Sequence, residues 1–188
     1  MRGLSDVPVI KNRRNYKRLK SLLFAIKEEI MKDVQCCFIK EKYFKEHTDF
    51  VNMLDPNNFD KQSKRTHLCV MVNINNNQVF VPLRNNLGEP LRKFGKIGFP
   101  VPSAKRPNAG LDYRYCLIVN DDNYIEWHKD VKLPNAQLSI IKNNYETIVN
   151  EVHTYIGKYI KVARKHREKK EPLFKQSSLM NFHKELGL

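Results

Sequence analysis

The sequence lacks the features that identify membrane-spanning, disulfide-rich or metal-dependent proteins. No stretch of its 188 residues is long and apolar enough to span a bilayer. Its four cysteines are one adjacent pair and two isolated residues within apolar runs, which fits neither a disulfide framework nor a zinc site. It contains no HExxH, P-loop or GxSxG motif and no carboxylates spaced to hold a hard cation. We therefore expect a cytoplasmic protein with free, buried thiols, no metal and no cofactor.

Acidic residues are scarce relative to basic ones, which points to a polyanionic partner. The chain has 34 lysines and arginines against 20 aspartates and glutamates, a formal net charge of +14. Such an excess indicates the kind of partner rather than the fold, and nucleic acid is favoured over an anionic membrane surface. The plainer alternative is a soluble protein that self-repulsion keeps from aggregating. With 41% hydrophobic residues, the chain has enough apolar material to bury a core.

The N-terminal region differs from the rest of the chain. Residues 13–34 have apolar side chains at helical spacing opposite a face of lysine, arginine and glutamate, which predicts an amphipathic helix. We treat residues 1–36 as a helical extension and residues 37–188 as a single domain, with Met31 as a candidate start of the native protein. A basic amphipathic helix also keeps open a peripheral membrane protein as one class of function.

The middle of the chain predicts an antiparallel hairpin. The runs "THLCVMVNI" and "QVFVPL" are rich in strand-forming residues and flank an "NNN" turn, within residues 66–83. Pro82, near the end of the second run, predicts an edge position or a strand about to leave the sheet. "RYCLIV" (residues 114–119) predicts a third strand, which turns into "YIEW".

A long cationic segment follows the hairpin. Residues 84–112 are rich in glycine, proline and basic side chains, and loops of this length in a compact domain are usually functional or disordered. We expect this loop to hold a phosphate backbone. The predicted RNA-binding residues are five basic residues of this loop and two that end the preceding polar connector: Arg92, Lys93, Lys96, Lys105, Arg106, Lys64 and Arg65.

The C-terminal third predicts a long basic helix and a short terminal one. From Gln137 to about Lys170 an apolar stripe recurs at helical spacing, and the last turns are almost wholly basic. Pro172 ends that helix. The segment "SSLMNFHKELG" then predicts a short helix with Ser177 or Ser178 as N-cap and a stop at Gly187.

These residue types suit RNA cleavage without a metal ion. A ribose 2′-hydroxyl can attack the adjacent phosphate if a site supplies a proton acceptor, cations for the phosphorane and a proton donor for the leaving oxygen. Arg84 directly after "PL" is a multi-donor cation, Asn85 and Asn86 can orient a ribose hydroxyl, and His183 can shuttle a proton. Each has a plainer alternative: a surface arginine, a turn and a structural histidine. His67, within a predicted strand, is better explained by packing.

The order of these motifs resembles a known family. The chain is similar to the endoribonuclease toxins of type III toxin–antitoxin systems, most of all to the TenpN branch of the ToxN/AbiQ/CptN family. The segments that carry this resemblance are, in order, "VFVPLRNN", "AGLDYRYCLIVNDDNYI", a lysine-rich helix and "SSLMNFHKELGL". The resemblance covers residues 38–188. It implies an α+β fold whose compact, twisted antiparallel β-barrel core is MazF/Kid-like and SH3-like and is decorated by helices.

The resemblance also implies an activity and partners. It implies metal-independent cleavage of single-stranded, often A-rich RNA, leaving a 2′,3′-cyclic phosphate and a 5′-hydroxyl. The expected substrate is cellular or phage mRNA, and the expected partner is a small repeat RNA antitoxin that the toxin processes and that links toxins into an RNA-bound oligomer. Phage defence by abortive infection is the associated biology, with no membrane involved.

The family's site residues transfer only in part. The ToxN branch has a Thr-Ser-x-Lys arrangement after "PL", whereas this chain has Arg84, Asn85 and Asn86 there, so ToxN's catalytic assignments do not carry over. The "KYF" segment resembles a "KY" of ToxN and makes Tyr43 a secondary candidate. We expect the terminal helix to pack near "PLRNN" and to bring Ser178 and His183 to the groove. The rival hypothesis is a non-catalytic RNA- or DNA-binding regulatory protein.

Overall fold

The structure is a computed structural model, and it describes residues 34–72, 74–88, 96–127 and 133–188. The described residues belong to one compact unit, Val34–Leu188. The predicted helix over residues 13–34 falls almost wholly outside them, as do Arg92 and Lys93. Within the part of the chain that is described, no helix combines the length and the apolar character needed to cross a bilayer.

The core of the fold is an antiparallel sheet. Within the described residues it has seven strands: β1 (Cys36–Ile39), β2 (His67–Val72), β3 (Asn77–Arg84), β4 (Gly98–Pro100), β5 (Gly110–Asp112), β6 (Leu117–Ile118) and β7 (Ile125–Trp127). They follow the order β4-β5-β3-β2-β1-β7, and β6 pairs separately with β3. Among the described strands this path is open, so the predicted α+β class is confirmed and the closed barrel stays a prediction.

The predicted hairpin is confirmed and forms the longest strand pair. β2 and β3 pair in antiparallel register from His67 opposite Pro82 to Val72 opposite Asn77. Asn75 and Asn76 in the connecting turn both have positive φ angles, of 54° and 58°. Asparagine tolerates this left-handed conformation better than other non-glycine residues, which explains the asparagine run at the turn.

Pro82 lies inside the sheet rather than at its edge, so that alternative was wrong. β3 pairs with β2 along one side, while on its other side β6 meets Val79 and Phe80 and β5 meets Leu83 and Arg84. The Leu83 N–H donates to Thr66 O beside β2, so the nitrogen of the preceding residue faces the β5 and β6 side. Pro82 therefore occupies the point at which β3 changes partners, where the missing donor is tolerated.

The helices cover the sheet and the connecting segments. They are α1 (Glu41–Glu46), α2 (Phe59–Ser63), α3 (Asn135–Asn143) and α4 (Tyr145–Ala163). α4 packs on β2 with a stripe of buried side chains: Ile148, Val152, Tyr155, Ile156 and Tyr159. The prediction of one continuous helix to Lys170 was wrong. The Asn144 amide donates to Ile140 O at 2.8 Å and interrupts the helix, and His166, with a φ of 52°, is left-handed just beyond its end.

The C-terminal segment folds back onto the core as predicted, but as a 3₁₀ turn and not as an α-helix. The turn spans Ser178–Asn181, and the Ser177 hydroxyl caps it by accepting from Leu179 N–H at 3.3 Å. The Asn181 side chain bonds both the N–H and the carbonyl of Val51. These two hydrogen bonds to a loop distant in sequence, together with the Ser177 cap, stabilise a short turn in place of a longer helix. Gly187 is left-handed (φ 70°), as a terminating glycine should be.

Candidate active site

Arg84 ends β3 and is held by a carboxylate on the neighbouring strand. Pairing of Arg84 with Gly110 and of Leu83 with Leu111 places Asp112 diagonally across from Arg84 on the same face of the sheet. Arg84 Nη1 donates to Asp112 Oδ2 at 2.7 Å. The Asp112 side chain is 1% exposed, whereas that of Arg84 is 28% exposed. A buried carboxylate thus fixes an arginine that still reaches solvent.

A second arginine shares the same carboxylate. Asp112 caps the 3₁₀ turn Tyr113–Tyr115 by accepting from Arg114 N–H, which shortens the predicted strand over residues 114–119 to β6. Arg114 Nε and Nη2 donate to its two oxygens at 3.0 and 2.7 Å. Burial opposes the charge of Arg114, but the hydrogen bonds and the charge of Asp112 outweigh burial and raise the pKa of the guanidinium.

Tyr115 completes this cluster. The Arg84 and Arg114 guanidinium carbons lie 5.3 and 5.2 Å from the centre of its ring, within cation–π range. Two guanidiniums and one carboxylate leave one positive charge in excess, and Arg84 is the more exposed cation. The arrangement can bind an anion such as a phosphate through Arg84 while Asp112 and Tyr115 hold the arginine in place.

Asn85 and Asn86 leave the sheet directly after Arg84, and both are exposed. The Asn86 side chain accepts from Gly88 N–H at 2.9 Å, and Gly88 has a φ of 66°. The predicted turn role is therefore present at Asn86. Their position beside Arg84 is also compatible with the predicted contact to a ribose.

Ser178 connects the C-terminal segment to the backbone next to the arginine cluster. Its hydroxyl lies 3.2 Å from Arg114 O and 2.5 Å from Cys116 O, both as acceptors. The residue is fully buried, so it does not face a substrate in this structure. The expected packing of the terminus near "PLRNN" is present, with Ser178 as an anchor beneath the site.

His183 lies farther along the same segment, with a different partner. Its Nε2 is 2.8 Å from the Tyr159 hydroxyl, and burial, followed by the charge of Glu168, raises the pKa of that tyrosine. His183 is partly buried, and Phe174 also packs against Tyr159. The contacts of the described residues join His183 to α4 and not to the Arg84 cluster.

Tyr43 belongs to an aromatic cluster. Its ring packs against His47, Phe50 and Tyr124, and Phe50 in turn meets Phe182 of the terminal segment. Tyr43 is buried, and burial together with the charge of Glu185 raises its pKa. The structure therefore gives Tyr43 a packing role and shows no contact with the arginine cluster among the described residues.

The predicted RNA-binding residues fall into separate places. Lys105 and Arg106 lie together at the exposed tip between β4 and β5. Lys64 is exposed and pairs with Asp60 at 2.7 Å. Arg65 is largely buried and pairs with Asp55 at 2.5 Å. Lys96 lies on the α4 side, near Glu151.

A small cleft adjoins the cluster on the side of Arg65. Arg65, His67, Pro82 and Tyr115 line it, so it touches the ring that contacts Arg84. Its volume of about 20 Å³ admits a group the size of one water, which is too small for a nucleobase. His67 is buried as predicted, and burial, reinforced by the charge of Arg65, lowers its pKa to about 3.

Sequence reasoning missed Asp112, Arg114 and Tyr115. They stand in "GLDYRY", where the sequence predicts the end of a cationic loop and the start of a strand but no site residue. A carboxylate two residues before an arginine was the available local signal, since this spacing suits a side chain that accepts from the backbone N–H two residues on. Among the residues that the structure covers, no group of three or more His, Cys, Asp or Glu side chains is placed to hold a metal ion.

Comparisons with known proteins relate the fold to bacterial toxins. No family model matches the chain, and no curated protein matches it either. Among solved structures, a lactococcal anti-phage endoribonuclease of a type III toxin–antitoxin system, AbiQ, matches at 19% identity and a TM-score of 0.53. That match covers 77% of this chain and 89% of AbiQ.

Two further bacterial structures match less closely. One comes from a type III toxin–antitoxin system with toxin inhibition by a non-coding RNA pseudoknot, at 19% identity and TM-score 0.46, covering 64% of this chain and 76% of the other. The second comes from an antiviral system regulated by a processed non-coding RNA, at 15% identity and TM-score 0.49, covering 67% and 85%. The match to AbiQ confirms the resemblance at the level of fold: this chain has the fold of a type III toxin–antitoxin endoribonuclease.

Proposed function

We propose that the protein is the toxin of a type III toxin–antitoxin system and cleaves single-stranded RNA without a metal ion. The observation that supports this most is the Arg84–Asp112–Arg114 cluster, which carries one excess positive charge with Arg84 partly open to solvent. A fixed cation of this kind can stabilise the charge that develops on a phosphorane. The finer features of the predicted fold, including a closed MazF-like barrel, belong to the same proposal.

The reaction needs no water and no redox partner. The ribose 2′-oxygen attacks the adjacent phosphorus, its proton passes to a base, and the bond to the 5′-oxygen breaks as that oxygen takes up a proton. The products are a 2′,3′-cyclic phosphate and a 5′-hydroxyl. Arg84 binds the nonbridging oxygens, and the exposed Asn85 and Asn86 beside it orient the ribose.

Two side chains are candidates for proton transfer. His183 stays the predicted shuttle, since histidine titrates nearest to neutral pH. Tyr115 is favoured by position as donor to the leaving oxygen, because its ring contacts both guanidiniums. If Tyr115 is that donor, Tyr115→Phe abolishes cleavage while RNA binding persists. If His183 is the shuttle, His183→Ala abolishes both cleavage and toxicity in a folded protein.

The proposed partner is a small repeat RNA that the toxin processes and then binds as antitoxin. The solved relatives include a system in which a non-coding RNA pseudoknot inhibits the toxin and one that a processed non-coding RNA regulates. The net charge of +14 suits such a polyanion. The proposal also includes an oligomer in which the RNA links the toxins. Its substrate is cellular or phage mRNA in the cytoplasm, and its biological role is phage defence.

Arg84 provides the direct test. Arg84→Gln removes the charge and leaves a shorter side chain that ends in a hydrogen-bonding amide. Because Asp112 keeps its two contacts with the Arg114 side chain, we expect cleavage to be lost with only a small fall in melting temperature. Arg167→Gln is the matched control, since it removes an equal charge from an exposed pair with Glu171. Full activity of Arg84→Gln would overturn the proposal for this residue.

The alternative function, a non-catalytic RNA-binding regulator, can be distinguished from the nuclease by RNA cleavage products and by genomic context. Both functions give salt-sensitive binding, but only the nuclease leaves new RNA ends. The antitoxin gene should appear as short tandem repeats followed by a terminator just upstream of the coding sequence. RNA that is bound without being cut, and upstream DNA without repeats, would favour the regulator.

A further inference from the structure

A second groove lies along α4 and shares no lining residue with the small cleft. Its walls are the exposed face of α4 and, across from it, Lys96 and Leu173. It has a volume of about 460 Å³, within the range of small-molecule sites. It is therefore large enough for a nucleotide unit, which the cleft beside Arg65 is not.

The α4 wall is a continuous polar stripe. Thr147, Asn150, Thr154 and Lys158 succeed one another at intervals of three or four residues, so they share one face of the helix, and all four are exposed. With Lys96 opposite, the groove has an ammonium group on each side. Hydroxyl and amide groups between two cations suit a sugar–phosphate chain better than an apolar peptide.

The groove lining also contains a carboxylate, Glu151, next to Lys96. Glu151 Oε2 accepts from the Tyr113 hydroxyl at 3.0 Å, and Oε1 is 3.4 Å from Lys96 Nζ. The Glu151 side chain is mostly buried, whereas that of Lys96 is largely exposed. An ionised carboxylate has several lone-pair directions and only accepts hydrogen bonds. Tyr113 thus fixes an acceptor that still has capacity toward the groove.

This carboxylate is linked to the proposed active site by sequence and by contact. Tyr113 directly follows Asp112, which holds Arg84, and its ring is fully buried between the two sites. Burial, followed by the charge of Glu151, raises the pKa of Tyr113, so its hydroxyl stays a donor. Because Asp112 contacts Arg84 and the next residue contacts Glu151, we expect an RNA strand bound at Arg84 to place a neighbouring nucleotide in the groove.

We infer that this groove is a base-selective subsite for single-stranded RNA, in which Lys96 and Lys158 contact the backbone and Glu151 accepts from the exocyclic amine of adenine or cytosine. The inference rests on the proposed function for the choice of RNA as ligand. Carboxylates read exocyclic amines because they offer no donor to a keto oxygen. Uracil, with keto groups in place of the amine, is disfavoured at this position.

Binding of RNA that cannot be cleaved tests the groove independently of catalysis. We would measure Kd for short 2′-O-methyl oligonucleotides of A, C and U, because a methylated 2′-oxygen cannot attack phosphorus. Lys158→Gln should weaken binding several-fold for every base and reduce the salt slope by about 0.7. Lys142→Gln is the matched control, since it removes the same charge from α3, outside the groove. Equal effects of the two variants would overturn the inference.

Glu151→Gln tests the base preference. Glutamine keeps an oxygen that accepts from the Tyr113 hydroxyl and adds an N–H₂ group that can donate to a keto oxygen of uracil. The wild type should prefer the A and C oligonucleotides over U by about fivefold or more, and Glu151→Gln should reduce that ratio toward one. A wild type without preference, or a variant that keeps it, would refute Glu151 as the reader of the base.

Two further measurements guard against misfolding and separate the two proposals. Thr154→Phe fills the groove from an exposed helical position and should lower affinity for all bases at unchanged melting temperature. Unchanged affinity would contradict the subsite. Selective binding by a protein that cuts no RNA would leave the subsite standing and defeat the nuclease. Groove variants that bind RNA with wild-type affinity and still cleave it would support the nuclease and overturn the subsite.

Discussion

Removing the charge of Asp112 is the sharpest perturbation of the arginine cluster. Asp112→Asn keeps the shape but leaves two guanidiniums facing a neutral amide whose N–H₂ cannot accept from them. The side chain is 1% exposed, so water does not replace the lost carboxylate. Removing one partner of a buried ion pair costs about 3–5 kcal/mol, and the partial exposure of Arg84 argues for the lower end.

This cost is measurable against the stability of a domain of this size. About 3 kcal/mol is a large part of a typical 5–15 kcal/mol free energy of unfolding. At roughly 2–4 °C per kcal/mol, the melting temperature should fall by about 6–12 °C. Thermal unfolding followed by circular dichroism at neutral pH is the assay, with urea titration as a second measure of the free energy.

A matched carboxylate and a double-mutant cycle complete the test. Asp60→Asn removes an equal charge from an exposed pair with Lys64, where the Asp60 side chain is 67% exposed, so it should cost at most about 1 kcal/mol. Arg84→Gln combined with Asp112→Asn should be less destabilising than the sum of the two single changes, because they share one contact. An Asp112→Asn protein as stable as Asp60→Asn would refute the reasoning.

Three other predictions concern stability and reactivity. The folded pKa of His67 is about 3, below its unfolded value, so between these two values the unfolded state binds one more proton than the folded state. The free energy of unfolding of the wild type should therefore fall by up to about 1.4 kcal/mol per pH unit as the pH drops below 6.5. Urea titrations of His67→Gln should lack this part of the pH dependence. Gly157 lies in open space within α4, so Gly157→Ala should stabilise the protein by about 0.5–1 kcal/mol. Gly110→Ala should destabilise it, because the added Cβ meets Leu87 and the carbonyl of Phe99. Thermal melts in which both variants shift the melting temperature in the same direction would contradict this prediction. Burial raises the pKa of all four thiols, so a thiol reagent at pH 8 should react slowly with the native protein and rapidly after denaturation. Rapid native labelling of any thiol besides the half-buried Cys36 would contradict the burial of Cys37, Cys69 and Cys116.

Local patterns predicted the parts of the fold that local interactions decide. The β2–β3 hairpin followed from two strand-forming runs around an asparagine turn, and the left-handed Asn75 and Asn76 supply the physical reason. Ser177 was one of two predicted caps of the terminal turn and fills that role. The interruption at Asn144 was missed because the apolar stripe continues through it, and the period alone does not reveal a side chain that competes for a backbone carbonyl.

The candidate site was only partly accessible from sequence because its contacts are long-range. Arg84 was identified, but its partner Asp112 lies 28 residues away across a strand pair whose register the sequence does not specify. Ser178 was expected beside a substrate, yet its hydroxyl is used beneath the cluster on two backbone carbonyls. Burial of a small polar residue depends on the whole fold, and serine patterns carry no signal for it.

The most direct test of the central claim is the chemistry of the RNA ends made without divalent ions. Purified protein is incubated with a defined single-stranded RNA in excess EDTA, and the products are analysed for their termini. If Arg84 stabilises an in-line attack by the 2′-hydroxyl, the fragments carry 2′,3′-cyclic phosphates and 5′-hydroxyls, and Arg84→Gln yields none. RNA that stays intact in EDTA, or is cut only after magnesium is added, contradicts the account.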